Sequence, residues 1–190
     1  DPAFTQAAYR WFANNNATTV GGAGGFNTPM TASARGDPFR LRMLLHNNGT
    51  GRGETATTGK LQFATSTGVC DTSFSGETYR DVGTSSGFFR FYNNSTPVDG
   101  AALTASGQDP RYATSSESAG LTNQTYEEDN GFYLLNTIAN EDSGMWDFSL
   151  VDYSAPPGIT YCFRAVQASS SNPFHRYSVI PELTTAQRLK

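Results

Sequence analysis

The chain has 190 residues and a formal net charge of −4, with 37% hydrophobic and 16% charged residues. Only two of its 13 basic residues are lysines, Lys60 and Lys190, and the basic residues form no cluster, which argues against nucleic acid as a partner. No apolar run of about 18 residues is present, so we expect no membrane span, and the N-terminus lacks the features of a signal peptide.

The first segment, residues 1–13, reads as an extended strand with apolar side chains on both faces. Alternation places Trp11 on one face and Phe4 and Phe12 on the other. Such a strand either completes its own domain or inserts into the next subunit as a donor strand. The candidate residues for this inter-subunit strand are Phe4, Ala7, Tyr9, Trp11 and Phe12.

The same period-two alternation continues in five later stretches. They are FRLRMLLH (39–46), KLQFA (60–64), FFRFY (88–92), MWDFSLVD (145–152) and GITYCFRAV (158–166). In the first stretch Leu41 faces inward and Arg40 and Arg42 face the other side, which is typical of a half-buried strand. Clusters of Gly, Pro, Asn and Ser separate the stretches. The pattern predicts an all-β, antiparallel β-sandwich of eight to ten strands, with residues 1–190 as one domain and 181–190 as a C-terminal tail.

Two short motifs resemble functional signatures. GTSSG at 83–87 fits the G-x-S-x-G pattern of hydrolases, but it lies between two strands that we expect to form a hairpin, and the signature requires a strand-to-helix turn. The tripeptide RGD at 35–37 is followed by Pro38 and a strand, and we interpret it as a chance match. We therefore predict no catalytic residues and no enzyme.

Acidic loops raise the question of calcium. Glu127, Glu128 and Asp129 lie in one loop, and Glu141 and Asp142 lie in another. Neither loop matches the EF-hand ligand series, so solvated turns are the better interpretation. We predict no metal and no cofactor.

Several segments together resemble a recurrent domain of prokaryotic surface and secreted repeat proteins. They include YRWF, FRLRMLLH, KLQFATSTGVCDTSFSGETYRDV, RFYNNSTPVDGAALTA, WDFSLVD, APPGITYCFRAV and YSVIPELTT. The resemblance implies an immunoglobulin-like or fibronectin-III-like sandwich that serves as a surface-exposed structural domain. The family that the chain resembles has no established catalytic residues, so the resemblance assigns none.

In such a fold the two cysteines could form a disulfide. KLQFA is the natural neighbour of the strand that carries Cys162, and Cys70 follows KLQFA closely, so a Cys70–Cys162 disulfide is geometrically plausible. The alternative is two unrelated surface thiols, since sequence alone does not prove pairing. A disulfide implies an oxidising compartment, in agreement with an extracellular or cell-surface location.

Five Asn-x-Ser/Thr sequons mark candidate glycosylation sites, if the source organism glycosylates such motifs. The asparagines are Asn16, Asn48, Asn93, Asn94 and Asn123, all in segments that we interpret as loops.

Two classes of function fit these observations. The first is a structural subunit of an extracellular filament or surface array, whose partners are copies of itself joined head to tail by strand complementation. The second is a surface adhesin or glycan-binding module. Its candidate aromatic platforms are Tyr112, Tyr126, Phe132 and Tyr133.

Overall fold

The computed structural model describes residues 2–49, 58–111 and 120–188. These residues form thirteen strands and no helix, which confirms the all-β prediction but exceeds the expected strand count. In chain order the strands are β1 Phe4–Ala13, β2 Ala23–Phe26, β3 Met30–Thr31, β4 Pro38–Asn47, β5 Thr58–Thr65, β6 Arg80–Asp81, β7 Phe89–Phe91, β8 Leu121–Glu127, β9 Phe132–Tyr133, β10 Ser143–Asp152, β11 Thr160–Gln167, β12 Arg176–Tyr177 and β13 Glu182–Thr184.

The strands form two sheets, an arrangement consistent with a β-sandwich. The larger sheet has the order β12-β1-β4-β10-β7, with β2 also paired to β1 and β8 to β10. The smaller has the order β3-β13-β11-β5-β6, with β9 also paired to β5. The long pairings of β1 with β4, β4 with β10 and β5 with β11 are antiparallel, as predicted. Three pairings, β1 with β12, β8 with β10 and β3 with β13, are parallel, so the sandwich is not antiparallel throughout.

Aromatic rings fill the space between the two sheets. Trp11 of β1 meets Phe163 of β11 edge to face at 5.5 Å between ring centroids. Phe89 of β7 meets Tyr161 of β11 at 4.8 Å and Phe63 of β5 at 5.4 Å, again edge to face. Edge-to-face pairs add about 0.5–1.5 kcal/mol each beyond the area that they bury. These inward residues alternate along KLQFA, FFRFY and GITYCFRAV, in keeping with the period of two in those stretches.

A bulge in β1 changes the face of its first residue. The register with β4 slips between Gln6 and Ala8, so the alternation restarts at Ala8. Phe4 consequently joins Tyr9 and Trp11 in the core between the sheets. The prediction that Phe4 shares a face with Phe12 was therefore wrong, because a strict period of two does not anticipate an extra residue.

The segment 82–88 connects the two sheets rather than closing a hairpin. β6 pairs with β5 in the smaller sheet, whereas β7 pairs with β10 in the larger one. GTSSG at 83–87 therefore lies in a crossover between sheets, which corrects the expectation of a hairpin. Gly87, with φ of +91°, adopts a left-handed conformation within this crossover.

Both faces of the larger sheet are covered. All ten residues of β10 are buried, and Arg40 and Arg42 of β4 have fully buried side chains. The second face carries a small apolar cluster of Ala8, Leu44, Leu103, Tyr126 and Met145. The alternation in β4 was predicted correctly, but its arginine face packs under loops.

Candidate functional site

A disulfide joins Cys70 to Cys162 of β11, with the Cα atoms 5.5 Å apart. The bond holds the segment after β5 against the outer face of the smaller sheet. There the guanidinium of Arg164 lies over the rings of Phe74 and Tyr79, at 4.4 and 4.0 Å from their centroids. The predicted pairing is confirmed. Cys162 is fully buried because this segment covers the face on which it lies.

A buried ionic network ties the loops on the larger sheet to its two central strands. Asp147 of β10 accepts hydrogen bonds from Arg40 Nε and Arg42 Nε, both at 2.8 Å. Arg42 also donates to Asp109 at 2.6 Å. Two cations therefore face two carboxylates in a site with almost no access to water.

The same two arginines hold loop carbonyls. Arg40 donates to the carbonyl oxygens of Asn15 and Ala17, at 3.1 and 2.9 Å. Arg42 donates to the carbonyl oxygen of Thr18 at 2.7 Å. Planar guanidinium groups suit this task because each presents five donors in a fixed geometry. The arginines of β4 thus organise the loop that follows β1.

The chain enters β1 and leaves β13 at opposite ends of the sandwich. Phe4 of β1 pairs with Asn47 at the end of β4, whereas Ala13 pairs with Phe39 near its beginning. Gln6 Nε2 donates to the carbonyl oxygen of Val179 and Trp11 Nε1 to that of Glu182, both at 3.0 Å. The chain therefore runs along β1 and away from Phe4 as it enters β13. A ten-residue strand rises about 33 Å, which sets the scale of the separation.

No protein-family model, curated protein or solved structure matches the chain. Its functional interpretation therefore rests on its own geometry. Within the described residues, no helix has the length and apolarity to cross a membrane, and no group of three or more His, Cys, Asp or Glu side chains is placed to hold a metal ion.

An acidic cavity of about 190 Å³ opens between the segment after β7 and the segment after β9. Thr125 and Glu127 of β8, both buried, line it together with Asp99 and the exposed side chain of Tyr133. The hydroxyl of Thr125 donates to Glu127 Oε1. Burial, assisted by the nearby carboxylates of Asp99 and Asp129, raises the pKa of Glu127 to about 8.

The raised pKa of Glu127 predicts that the protein loses stability as the pH rises from about 5 to about 8. The folded protein holds this proton up to about pH 8, whereas the unfolded chain releases it near its ordinary pKa of 4.5. The stabilisation is complete below pH 4.5 and is lost as the pH rises through 8. Between pH 6 and 9 we expect the free energy of unfolding to fall by about 2–3 kcal/mol, measured by urea denaturation.

The variant Glu127→Gln separates this effect from general titration. The amide stays neutral, so the variant should lose most of the difference between pH 6 and 9. Asp37→Asn, at an exposed loop position, is the matched control and should behave like the unmodified protein. The assignment to Glu127 fails if Glu127→Gln keeps the full pH dependence.

The sequons differ in accessibility. Asn16 and Asn93 are exposed, and Asn48 and Asn123 are half-buried. Asn94 is 5% exposed, and its Nδ2 donates to Tyr126 Oη at 2.6 Å and to Ser149 Oγ at 3.0 Å. A glycan on Asn94 would require these buried hydrogen bonds to break, so the Asn94 side chain is not accessible in the folded protein.

The aromatic candidates for glycan binding also differ in their exposure to solvent. Tyr126 and Phe132 are buried in the fold, whereas Tyr133 is 63% exposed. Tyr112 lies outside the described residues. Of the candidates that the structure describes, only Tyr133 offers an aromatic surface to a ligand.

Two further sequence features have ordinary structural roles. In the RGD tripeptide, Arg35 donates to the carbonyl oxygen of Ala155 at 2.6 Å, and Asp37 accepts from the hydroxyl of Ser33 at 3.1 Å. Both charged side chains are therefore engaged within the chain. Lys60 Nζ forms an ion pair with Asp81 Oδ2 at 3.0 Å.

Sequence reasoning noticed Glu127 only as part of an acidic loop. It did not anticipate that Asp99, 28 positions earlier, lies beside it, or that Thr125 and Glu127 line a cavity. The alternation in LTNQTYE carries no signal for this, because β8 is an edge addition to β10 with a shifted register.

Proposed function

We propose that this domain is a structural, load-bearing module of an extracellular or cell-surface assembly, aligned head to tail with further copies. The exit of β1 and β13 at opposite ends of the sandwich is the observation that carries the proposal. Copies linked through such ends align along one axis without folding back. The module has no catalytic role in this proposal.

The direction of the strands suits tension along that axis. A force between the two ends pulls β1 and β13 along their own lengths. β1 pairs with β4 at nine register positions, so the hydrogen bonds of that ladder share the load instead of breaking one after another. The disulfide is compatible with an oxidising, extracellular location, and it bypasses the residues between Cys70 and Cys162.

Joining by strand exchange remains a prediction. In the structure β1 occupies its own larger sheet, with β4 on one side and β2 and β12 on the other. Donating it to a neighbour would remove Tyr9 and Trp11 from the core of the donor unless a third copy supplied its own β1. The proposal therefore requires only that the ends be linked, by peptide or by contact.

Single-molecule pulling tests the proposal. We expect a domain pulled from its two ends to unfold at a higher force than the same domain pulled from positions 13 and 37. In the second case, azide-bearing residues introduced at these two positions serve as the attachment points. Ala13 and Asp37 are exposed and lie at the same end of the β1–β4 ladder, so this control opens the ladder one pair at a time. Equal forces in the two directions would contradict a load-bearing role.

The same measurement reports on the disulfide. With the bond intact, the 92-residue separation between the cysteines cannot extend, so a reductant should add about 300–330 Å to the unfolded contour length.

A further inference from the structure

The cavity beside Tyr133 has walls that are fixed before any ligand arrives. On one side, Gly100 N donates to the carbonyl oxygen of Tyr126 at 2.8 Å, and Glu128 N donates to Asp99 Oδ1 at 2.7 Å. These two bonds fasten the Asp99–Gly100 wall to β8.

The opposite wall depends on one buried amide. Gln124 Oε1 accepts hydrogen bonds from Leu135 N at 2.8 Å and Asn136 N at 3.0 Å, and Gln124 Nε2 donates to the carbonyl oxygen of Asn136 at 2.7 Å. Trp146 Nε1 donates to the carbonyl oxygen of Tyr133 at 3.1 Å. A cleft with both walls fixed costs little conformational entropy when a ligand binds.

The lining combines polar and apolar surfaces in a small space. Buried polar groups at Thr125 and Glu127 meet the exposed apolar surfaces of Tyr133 and Leu135 across about 190 Å³. A pyranose ring has the matching character, with hydroxyl groups around its edge and C–H groups on its faces. The size of the cavity suits one sugar ring rather than an extended oligosaccharide.

Charge restricts the class of sugar. Asp99 lines the cavity, and Glu128 and Asp129 follow Glu127 directly, so an anionic ligand would meet repulsion. We propose that this cavity binds a neutral hexopyranose unit of a glycan, with the ring of Tyr133 as the apolar platform and the side chains of Thr125, Glu127 and Asp99 as hydrogen-bonding partners. This site is independent of the load-bearing role, which involves the opposite ends of the sandwich.

Saturation-transfer NMR on the intact protein tests the site. The probes are the methyl glycosides of glucose, galactose, mannose and N-acetylglucosamine, with N-acetylneuraminic acid as the anionic comparison. We expect at least one neutral glycoside to bind with a millimolar Kd and the anionic sugar to give no signal. Absence of binding by all four neutral glycosides would overturn the proposal. A change in the protein's own NMR signals at the cavity on addition of calcium chloride alone would also overturn it.

Three tyrosine variants assign the binding to the cavity. Tyr133→Ala should raise the Kd at least tenfold, whereas Tyr133→Phe should preserve it, because the ring is the contact surface. Tyr153→Ala is the matched control, since Tyr153 is 56% exposed and its ring lies under Arg90 elsewhere on the surface. Equal Kd values for Tyr133→Ala and Tyr153→Ala would overturn the assignment. Because both tyrosines are exposed, neither change should prevent folding, which circular dichroism checks.

Discussion

Replacing Asp147 by Asn is expected to lower the free energy of unfolding by about 3–5 kcal/mol, because it leaves a buried positive charge without its partner. Asp147 is fully buried and accepts hydrogen bonds from both Arg40 and Arg42. With Asp109 it balances the two guanidinium charges. An asparagine keeps the shape but supplies no charge, and its NH2 group faces donors.

Urea denaturation measures the effect, with Asp37→Asn as the control. Asp37 is exposed and lies just before β4, so its replacement should change stability by less than about 0.5 kcal/mol. Hydrogen exchange should also quicken in residues 15–18 of the Asp147→Asn variant, because the arginines that hold those carbonyls lose their anchor. A decrease of less than about 1 kcal/mol in the free energy of unfolding would show that Asp147 does not hold the two arginines together as one network.

The arginines of β4 also show where sequence reasoning reaches its limit. Alternation placed Leu41 and Met43 in the core and Arg40 and Arg42 opposite, and the structure agrees. Alternation does not indicate what covers the opposite face. Covering loops come from distant parts of the chain, here around residues 15–18 and 104–109, and no local pattern encodes that meeting.

Dependence on distant parts of the chain also explains the other differences between the predicted and the observed fold. The strands that carry Phe63, Phe148 and Phe163 were predictable because each is long enough to show a period. The bulge after Gln6 and the crossover at 83–87 depend on pairing partners, which a single sequence does not specify. The cavity at Tyr133 combines Asp99, Glu127 and Leu135 from three segments, so only the structure brings it together.

The Cys70–Cys162 bond fixes distant parts of the chain, and its loss should be costly. In the chain-entropy model, a crosslink between residues 92 positions apart stabilises the fold by about 4–5 kcal/mol, because it removes conformations from the unfolded chain. A second contribution comes from the segment that the bond anchors. Phe74 packs edge to face on Tyr177 at 4.8 Å between centroids, and Cys70 N donates to Glu182 Oε1 at 3.3 Å.

We therefore expect the double variant Cys70→Ala/Cys162→Ala to unfold at a markedly lower urea concentration than the oxidised protein, with a larger m-value because its unfolded chain exposes more surface. Reductant should move the unmodified protein towards the variant and leave the variant itself unchanged, which separates loss of the bond from side effects of the reagent. Alanine at position 162 also leaves a small cavity in a fully buried site, so the variant should be somewhat less stable than the reduced protein. Two titratable thiols in native protein prepared under oxidising conditions would contradict the bond itself, whereas an unchanged unfolding midpoint on its removal would show that the packed segment around Phe74 holds without it.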